Sequence, residues 1–306
     1  KLGMVFRNAA GTEELKNNGC EDFILPVGKV QVNISQPSKE TVLVNSGDKL
    51  SISATIDFQG STTVQGNLEV FYNNVSVASV TCGFPKCSAT INNITESGEV
   101  RLVGTPPGST ESGEARFNVK VSPSVTQESI PSGLLNGINY STDATKATLV
   151  LTAPGKDFVE VAGSFNNYTP TSNHLMKKDP NSDKFWLEIT GLTANKIETY
   201  QYWVYDITPA TNSPSIVKTA DPFSALVLSP FDDPWIPSTT YPNLPSYPVG
   251  QEREVTVLQT GKAAYNWTVT DFQKPKKEDL VVYEVLVRDF DENRSYQDLI
   301  DRIDYF

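Results

Sequence analysis

The residues 198–205, Glu-Thr-Tyr-Gln-Tyr-Trp-Val-Tyr, carry the side chains with most to offer a ligand. Their alternation predicts a strand with Tyr200, Tyr202 and Val204 on one face and Gln201, Trp203 and Tyr205 on the other. One face must be core. The other would then expose two aromatic rings, which a domain interface, cover by a loop, or a platform for a sugar ring would each explain. The carboxylates are less promising. Asp232 and Asp233 alone are too few for a calcium site, and Glu284, Asp289 and Asp291 surround one strand candidate without a partner set. A single histidine, His174, argues against a zinc or copper centre and leaves no Ser/His/Asp arrangement. An intact small enzyme built on these residues is not indicated.

The elements that must hold these residues read as β-structure. Ser, Thr, Asn, Val and Pro are abundant, and long runs of helix formers are few. The net charge of −11 comes with no basic patch, so nucleic acid is not an expected partner, whereas a neutral partner such as a sugar fits. No apolar run is long enough to span a membrane as a helix, and no signal peptide is visible at Lys1. Cys82 and Cys87 flank Gly-Phe-Pro-Lys, a tight turn; a bridge across a hairpin, implying an oxidising compartment, and two free thiols both remain open. Cys20 has no partner near in sequence. The Asn-x-Ser/Thr pattern recurs, as at Asn33, Asn74, Asn139, Asn167 and Asn266, at the frequency chance allows in a chain rich in these residues.

In order along the chain, residues 1–29 hold strand candidates at 2–7 and 23–27 around a turn at 8–12. They cannot bury a core alone and read as the end of a truncated β domain. Residues 30–122 alternate repeatedly: Val30, Val32, Ile34; Leu50, Ile52, Ala54, Ile56; Leu68, Val70, Tyr72; then Val75, Val77, Val100, Leu102, Phe117 and Val119. With turn signals at 45–48, 59–61, 73–74 and 106–108, this predicts an immunoglobulin-like β-sandwich. A polar linker follows. Residues 134–232 form a second β domain with strands at 137–140, 146–151, 157–162, 184–189 and 198–205. Residues 233–279 are proline-rich and extended, with further strands at 254–258 and 264–267. Residues 280–287 are a near-continuous apolar run, followed by a polar turn and a helix over 295–306. Buried strand, loop, helix is the opening of a βα unit.

Several of these segments resemble a known family. Gly163-Ser164-Phe165-Asn166-Asn167-Tyr168 resembles the G-x-F-N-x-W/Y signature of the N-terminal β-sandwich modules of starch-acting enzymes, the branching-enzyme and isoamylase type related to carbohydrate-binding family 48. Trp186 and Ile189-Thr190-Gly191-Leu192, Tyr200-Gln201-Tyr202 and Ala220-Asp221-Pro222-Phe223 are similar to the later strands and D-P-Y/F segment of such modules. Val282-Tyr283-Glu284-Val285-Leu286-Val287-Arg288-Asp289-Phe290 resembles the first barrel strand of glycoside hydrolase family 13, the alpha-amylase family. The resemblance covers residues 134–306 and implies a multidomain protein of Bacteroidetes type.

The implied fold is mainly β: tandem sandwiches followed by the first βα unit of a (β/α)8 barrel. The implied parent enzyme hydrolyses alpha-glucans with retention, using two carboxyls about 5 Å apart at the ends of later barrel strands. None of that set maps to these residues, so no catalytic residue is assigned and this chain is expected to release no reducing sugar from starch. Glu284 reads as a salt-bridge or cap residue, and Asp289 and Asp291 as loop or cap residues. The resemblance implies an alpha-glucan such as starch or maltooligosaccharide as a weak ligand, with Trp203, Trp235, Asn166, Asn167 and Tyr168 as candidate contacts. Asn166 and Asn167 also read as turn residues, Trp186 as core, and Trp203 and Trp235 as surfaces for the barrel domain. Calcium belongs, on this reading, to the intact enzyme. The implied location is secreted, periplasmic or on the outer-membrane surface of a Gram-negative bacterium. The competing reading is a non-catalytic glycan-binding or structural sandwich protein of a surface polysaccharide-uptake system.

Overall fold

The computed structural model describes residues 30–58, 65–83 and 86–306, together with four short backbone strands nearer the start. These are β1 (Leu2–Met4), β2 (Phe6–Arg7), β3 (Glu14–Leu15) and β4 (Phe23–Leu25); β1 pairs with β4 and β2 with β3, all antiparallel. Cys20 and the expected turns at 8–12 and 59–61 lie outside the described residues. The chain divides into two units, Lys1–Ser124 and Val125–Phe306.

In the first unit, β5 (Val30–Gln36), β7 (Asp48–Phe58) and β10 (Cys87–Ile94) form one sheet in the order β10-β7-β5. The other sheet has the order β6-β12-β11-β8-β9, built from β6 (Thr41–Val44), β8 (Gly66–Tyr72), β9 (Val75–Cys82), β11 (Gly98–Thr105) and β12 (Gly113–Val121). Alternation sends Leu50, Ile52 and Ile56 from one sheet and Leu68, Val70, Val100, Leu102 and Phe117 from the other into one core. Each such buried side chain contributes roughly 1.5–3 kcal/mol, which is why alternation alone can specify the pairing of faces.

Val75 and Val77 depart from the expected core set, being 65% and 42% exposed. They follow a turn at Asn73 and Asn74, both with positive φ, and begin the edge strand β9. Val77 is the extra residue of a β-bulge opposite Val70 and Phe71, and beyond it Ala78, Val80 and Cys82 are the β9 residues that turn toward the core. Cys82 and Cys87 form a disulfide with Cα atoms 4.5 Å apart. It does not cross a hairpin. It joins the last residue of β9 in one sheet to the first residue of β10 in the other.

The second unit also has two sheets. The first, in the order β13-β14-β17-β16, contains β13 (Gly137–Tyr140), β14 (Ala147–Thr152), β16 (Lys177–Lys178) and β17 (Lys184–Ile189). The second runs β15-β18-β21-β20, from β15 (Phe158–Gly163), β18 (Glu198–Tyr205), β20 (Val227–Leu228) and β21 (Val255–Leu258). An additional strand, β19 (Ile216–Thr219), pairs with the second half of β18. The five strands expected over 137–205 are all present within a residue or two. Leu149, Val159, Val161, Met176, Phe185, Leu187, Tyr200 and Tyr202 fill the core between the sheets. The strand expected over 254–258 is β21, and it is part of the second sheet; the one expected over 264–267 does not form.

The apolar run 280–287 differs most from expectation. It forms no strand, and Leu280, Val281, Val282 and Tyr283 are 48%, 96%, 84% and 61% exposed. A strand exists only within a ladder, and no described strand offers its N–H and C=O groups a partner there. Beyond it come two short helices, α1 (Val287–Phe290) and α2 (Tyr296–Asp301). At α2 the Ser295 hydroxyl accepts from the Asp298 amide and the Asp298 carboxylate accepts from the Ser295 amide, a reciprocal cap that ends the fraying of a short helix. The helix expected over 295–306 is thus α2 plus a 3-10 turn at Ile303–Tyr305.

Candidate functional site

The turn after β15 is built from its own polar groups. Gly163 sits opposite Tyr200 in the β15–β18 ladder. A Cβ there would lie 2.7 Å from the carbonyl oxygen of Thr199, so the close approach of the two backbones requires glycine. Ser164–Asn166 then make one 3-10 turn. The Asn166 side chain closes it: Oδ1 accepts from the Gly163 amide at 2.8 Å and Nδ2 donates to the Val161 carbonyl at 2.9 Å. Asn167 and Tyr168 both have left-handed backbones, φ 52° and 53°, a conformation for which Asn is better suited than Tyr. The Tyr168 amide donates back to the Gly163 carbonyl at 2.8 Å.

This turn is fastened to the start of β18. The Tyr168 hydroxyl and the Thr199 Oγ1 share a hydrogen bond of 2.5 Å. Burial holds the Tyr168 phenol above its usual range, and the nearby Glu198 carboxylate adds to the effect. Ser164 Oγ donates to the Glu198 carboxylate and accepts from the Thr199 amide at 2.9 Å. Glu198, only 3% exposed, also pairs with Lys196 at 2.6 Å. Of the three turn residues expected to contact sugar, Asn166 and Tyr168 therefore spend their hydrogen-bonding groups within the protein. Asn167 is exposed, and its side-chain amide has no hydrogen-bond partner among the described residues, while its backbone N–H donates to the Ser164 carbonyl.

The two faces of β18 resolve the question of its aromatic rings. Tyr200 and Tyr202 are fully buried. The opposite face is covered locally: Gln201 Nε2 donates to the carbonyls of Glu252 and Glu254 at 2.7 and 3.0 Å. Tyr205 stacks on Phe158 with centroids 4.2 Å apart and donates to Glu160 at 2.8 Å. Trp203 is half-buried beneath Lys218, whose Nζ lies 4.8 Å from the ring centroid, while its own Nε1 donates to Gln201 at 3.3 Å. Lys218 is held in turn by Glu252 at 2.5 Å. Cover by neighbouring segments is thus the explanation that applies.

Trp235 is 83% exposed on the 3-10 turn Asp233–Trp235. It shares no ring contact or hydrogen bond with Trp203 or the Gly163 turn. Trp186 is core, 6% exposed, with Nε1 donating to the Glu128 carbonyl at 3.0 Å.

The carboxylates near the chain's last helices do not converge. Asp289, which lies within α1 rather than in a loop, pairs with its neighbour Arg288, and Asp291, at the end of α1 as a cap residue, pairs with Arg302. Glu284 is exposed and neither caps a helix nor joins an ion pair among the described residues, contrary to expectation. No group of three or more His, Cys, Asp or Glu is placed to hold a metal among the described residues. No helix among them is long and apolar enough to cross a membrane.

One arrangement lay beyond sequence reading. Tyr200 and Tyr202 both donate to Asp221 Oδ2, at 2.7 and 2.9 Å. Asp221 Oδ1 accepts from the Phe223 amide at 2.8 Å, and the Asp221 amide donates to Thr256 Oγ1 at 2.7 Å. The available signal was the demand itself, because two core-facing tyrosines need acceptors for their hydroxyls.

No family model matches the chain, and no curated protein matches it. Among solved structures, the chain is similar to fibronectin(III)-like modules of CbhA from Clostridium thermocellum at 18% identity, over 61% of this chain and 92% of that one, with a TM-score of 0.28. It is similar to the pullulanase SAP of Group B Streptococcus at 14% identity, over 90% of this chain and 34% of that one, with a TM-score of 0.32. It is also similar to apo pullulanase from Klebsiella pneumoniae at 14% identity, over 53% of this chain and 20% of that one, with a TM-score of 0.26. The chain spans about a third of one pullulanase and a fifth of the other, and TM-scores at this level carry no weight for function.

Proposed function

We propose that this chain is an accessory region of an alpha-amylase-like glycoside hydrolase, associated with starch or a related alpha-glucan. The observation that supports this most is that the motif segments carrying the resemblance are physically joined. The Gly163–Tyr168 turn bonds to Thr199 at the start of β18, and β18 bonds through Tyr200 and Tyr202 to Asp221 of the Asp-Pro-Phe segment. Residues that match a pattern by chance have no reason to bond to one another. On this reading the parent enzyme performs retaining hydrolysis with two carboxyls on a barrel, and the sandwich units orient that barrel and help to hold substrate. Asn167, Trp203 and Trp235 are the candidate sugar contacts that keep some exposed surface, with Asn166 and Tyr168 shaping the turn. Calcium is assigned to the parent enzyme. The Cys82–Cys87 bridge supports a secreted, periplasmic or outer-surface location, where disulfides persist.

Reading the coding sequence past Phe306 tests the proposal. Further βα units carrying an aspartate and a glutamate at strand ends are expected. A stop codon close behind would favour the alternative, a non-catalytic glycan-binding or structural sandwich protein. Reducing-sugar assays on the 306-residue chain with starch are expected to show no activity.

A further inference from the structure

The segment between β20 and β21 folds into a groove of about 580 Å³, within the roughly 300–1,000 Å³ range of small-ligand clefts. Its walls include Pro234, Ile236, Tyr241 and Tyr247, and its polar groups include Asp233 and Asn243. All belong to one stretch of the second unit. None of the lining residues is Lys, Arg or His, so the groove offers no cation to a phosphate or uronate. Asp233 is its single carboxylate, too few for a two-carboxyl hydrolytic site or a divalent cation.

The walls combine flat apolar rings with an amide and an acceptor. Tyr241 keeps 42% of its surface exposed, enough for its ring to be reached. Tyr247 donates its hydroxyl to the Arg253 carbonyl at 2.5 Å, which fixes the phenol at the groove wall and leaves its oxygen lone pairs as acceptors. Burial pushes the Tyr247 phenol up to about 12, with further contributions from Tyr168, Glu254, Glu252 and Asp233, so it is neutral at physiological pH. Asp233 is the unsettled member. Its Oδ2 is shielded from solvent and has no hydrogen-bond donor among the described residues. A carboxylate oxygen in that position costs free energy, and turning it toward a hydroxyl donor in the groove recovers it.

We infer that this groove binds a neutral oligosaccharide, with the Tyr241 ring as stacking surface and the Asp233 carboxylate as acceptor from a sugar hydroxyl. Trp235 stands between the lining residues Pro234 and Ile236 but is 83% exposed and does not itself line the groove. The choice of an alpha-glucan as that oligosaccharide rests on the proposed function; the groove chemistry itself does not.

Calorimetric titration of the full chain with maltoheptaose and with cellohexaose tests the inference. At least one is expected to bind. Asp233→Ala and Tyr241→Ala should each weaken binding by about tenfold, the size expected for a lost charge-assisted hydrogen bond or aromatic contact. Tyr241→Phe, which keeps the ring, should bind within about twofold of the parent. Circular dichroism melts of each variant establish that the fold is kept. If neither sugar binds, or if binding survives both alanine variants, the groove is not the site. Maltoheptaose binding that ignores both variants would overturn this inference and leave the alpha-glucan reading standing. Binding of cellohexaose alone, lost in both variants, would support the groove and count against the alpha-glucan.

Discussion

Replacing Asp221 should unfold the second unit far more easily than the loss of one hydrogen bond would suggest. The carboxylate is 2% exposed and receives three donors, the hydroxyls of Tyr200 and Tyr202 and the amide of Phe223. In Asp221→Ala all three lose their acceptor while Tyr200 and Tyr202 stay fully buried. Each orphaned buried donor costs about 1–3 kcal/mol, offset in part because a buried charge is also removed, so a net loss of about 3–5 kcal/mol is expected. Tyr202→Phe in the parent removes one donor and should cost about 1–2 kcal/mol. In the Asp221→Ala background the same change removes an unsatisfied hydroxyl and should cost nothing or stabilise slightly. The coupling in this double-mutant cycle is therefore at least about 1 kcal/mol. Urea titration followed by tryptophan fluorescence isolates the right transition, because Trp186, Trp203, Trp235 and Trp267 all lie in the second unit. With a slope near 2 kcal/mol/M, the Asp221→Ala midpoint should fall by about 2 M. A shift below about 0.5 M, or additive losses in the double variant, would refute the idea that Asp221 pins both tyrosines.

The same tyrosines make the second unit sensitive to alkali. Burial first, then nearby acidic groups, raise Tyr200, Tyr202 and Tyr205 above the usual phenol range. A raised folded-state value means the stabilisation is complete below about pH 10, the unfolded tyrosine value, and is lost as pH rises above it. Melting temperatures by circular dichroism should hold steady from neutral pH to about 9.5 and then fall, with a shallower fall in Tyr202→Phe; a flat profile to pH 11.5 would contradict this. In the first unit, Cys82→Ser with Cys87→Ser opens a loop of six residues and should lower stability by about 2 kcal/mol. Hydrogen exchange in peptides from β9 and β10 should quicken accordingly, and unchanged protection there would show that the bridge adds nothing to the joining of the two sheets.

Local pattern placed most of the longer strands of both units, though not β6, β10, β16, β19 or β20. Period-two alternation over Leu50, Ile52, Ala54 and Ile56, or over Tyr200, Tyr202 and Val204, records burial on one face directly in the residue types. The Gly163 turn was legible for the same reason, since it is closed by residues within a few positions. What alternation could not supply was the identity of the cover. Gln201 and Tyr205 look like an exposed face until residues about fifty positions away close over them or stack against them. Val75 and Val77 look like core until the bulge in the β8–β9 ladder gives the inward positions to Ala78, Val80 and Cys82. The run 280–287 has the composition of a buried strand, yet a strand is a property of two chains of hydrogen-bonding groups, and composition describes only one. The sequence by itself determined which residues prefer strands and which face each would bury. Only the tertiary structure decided which partners satisfy Tyr200, Tyr202 and Gln201 and that Asp233 Oδ2 is left without one among the described residues, because a buried polar group is answered by whatever the fold brings to it.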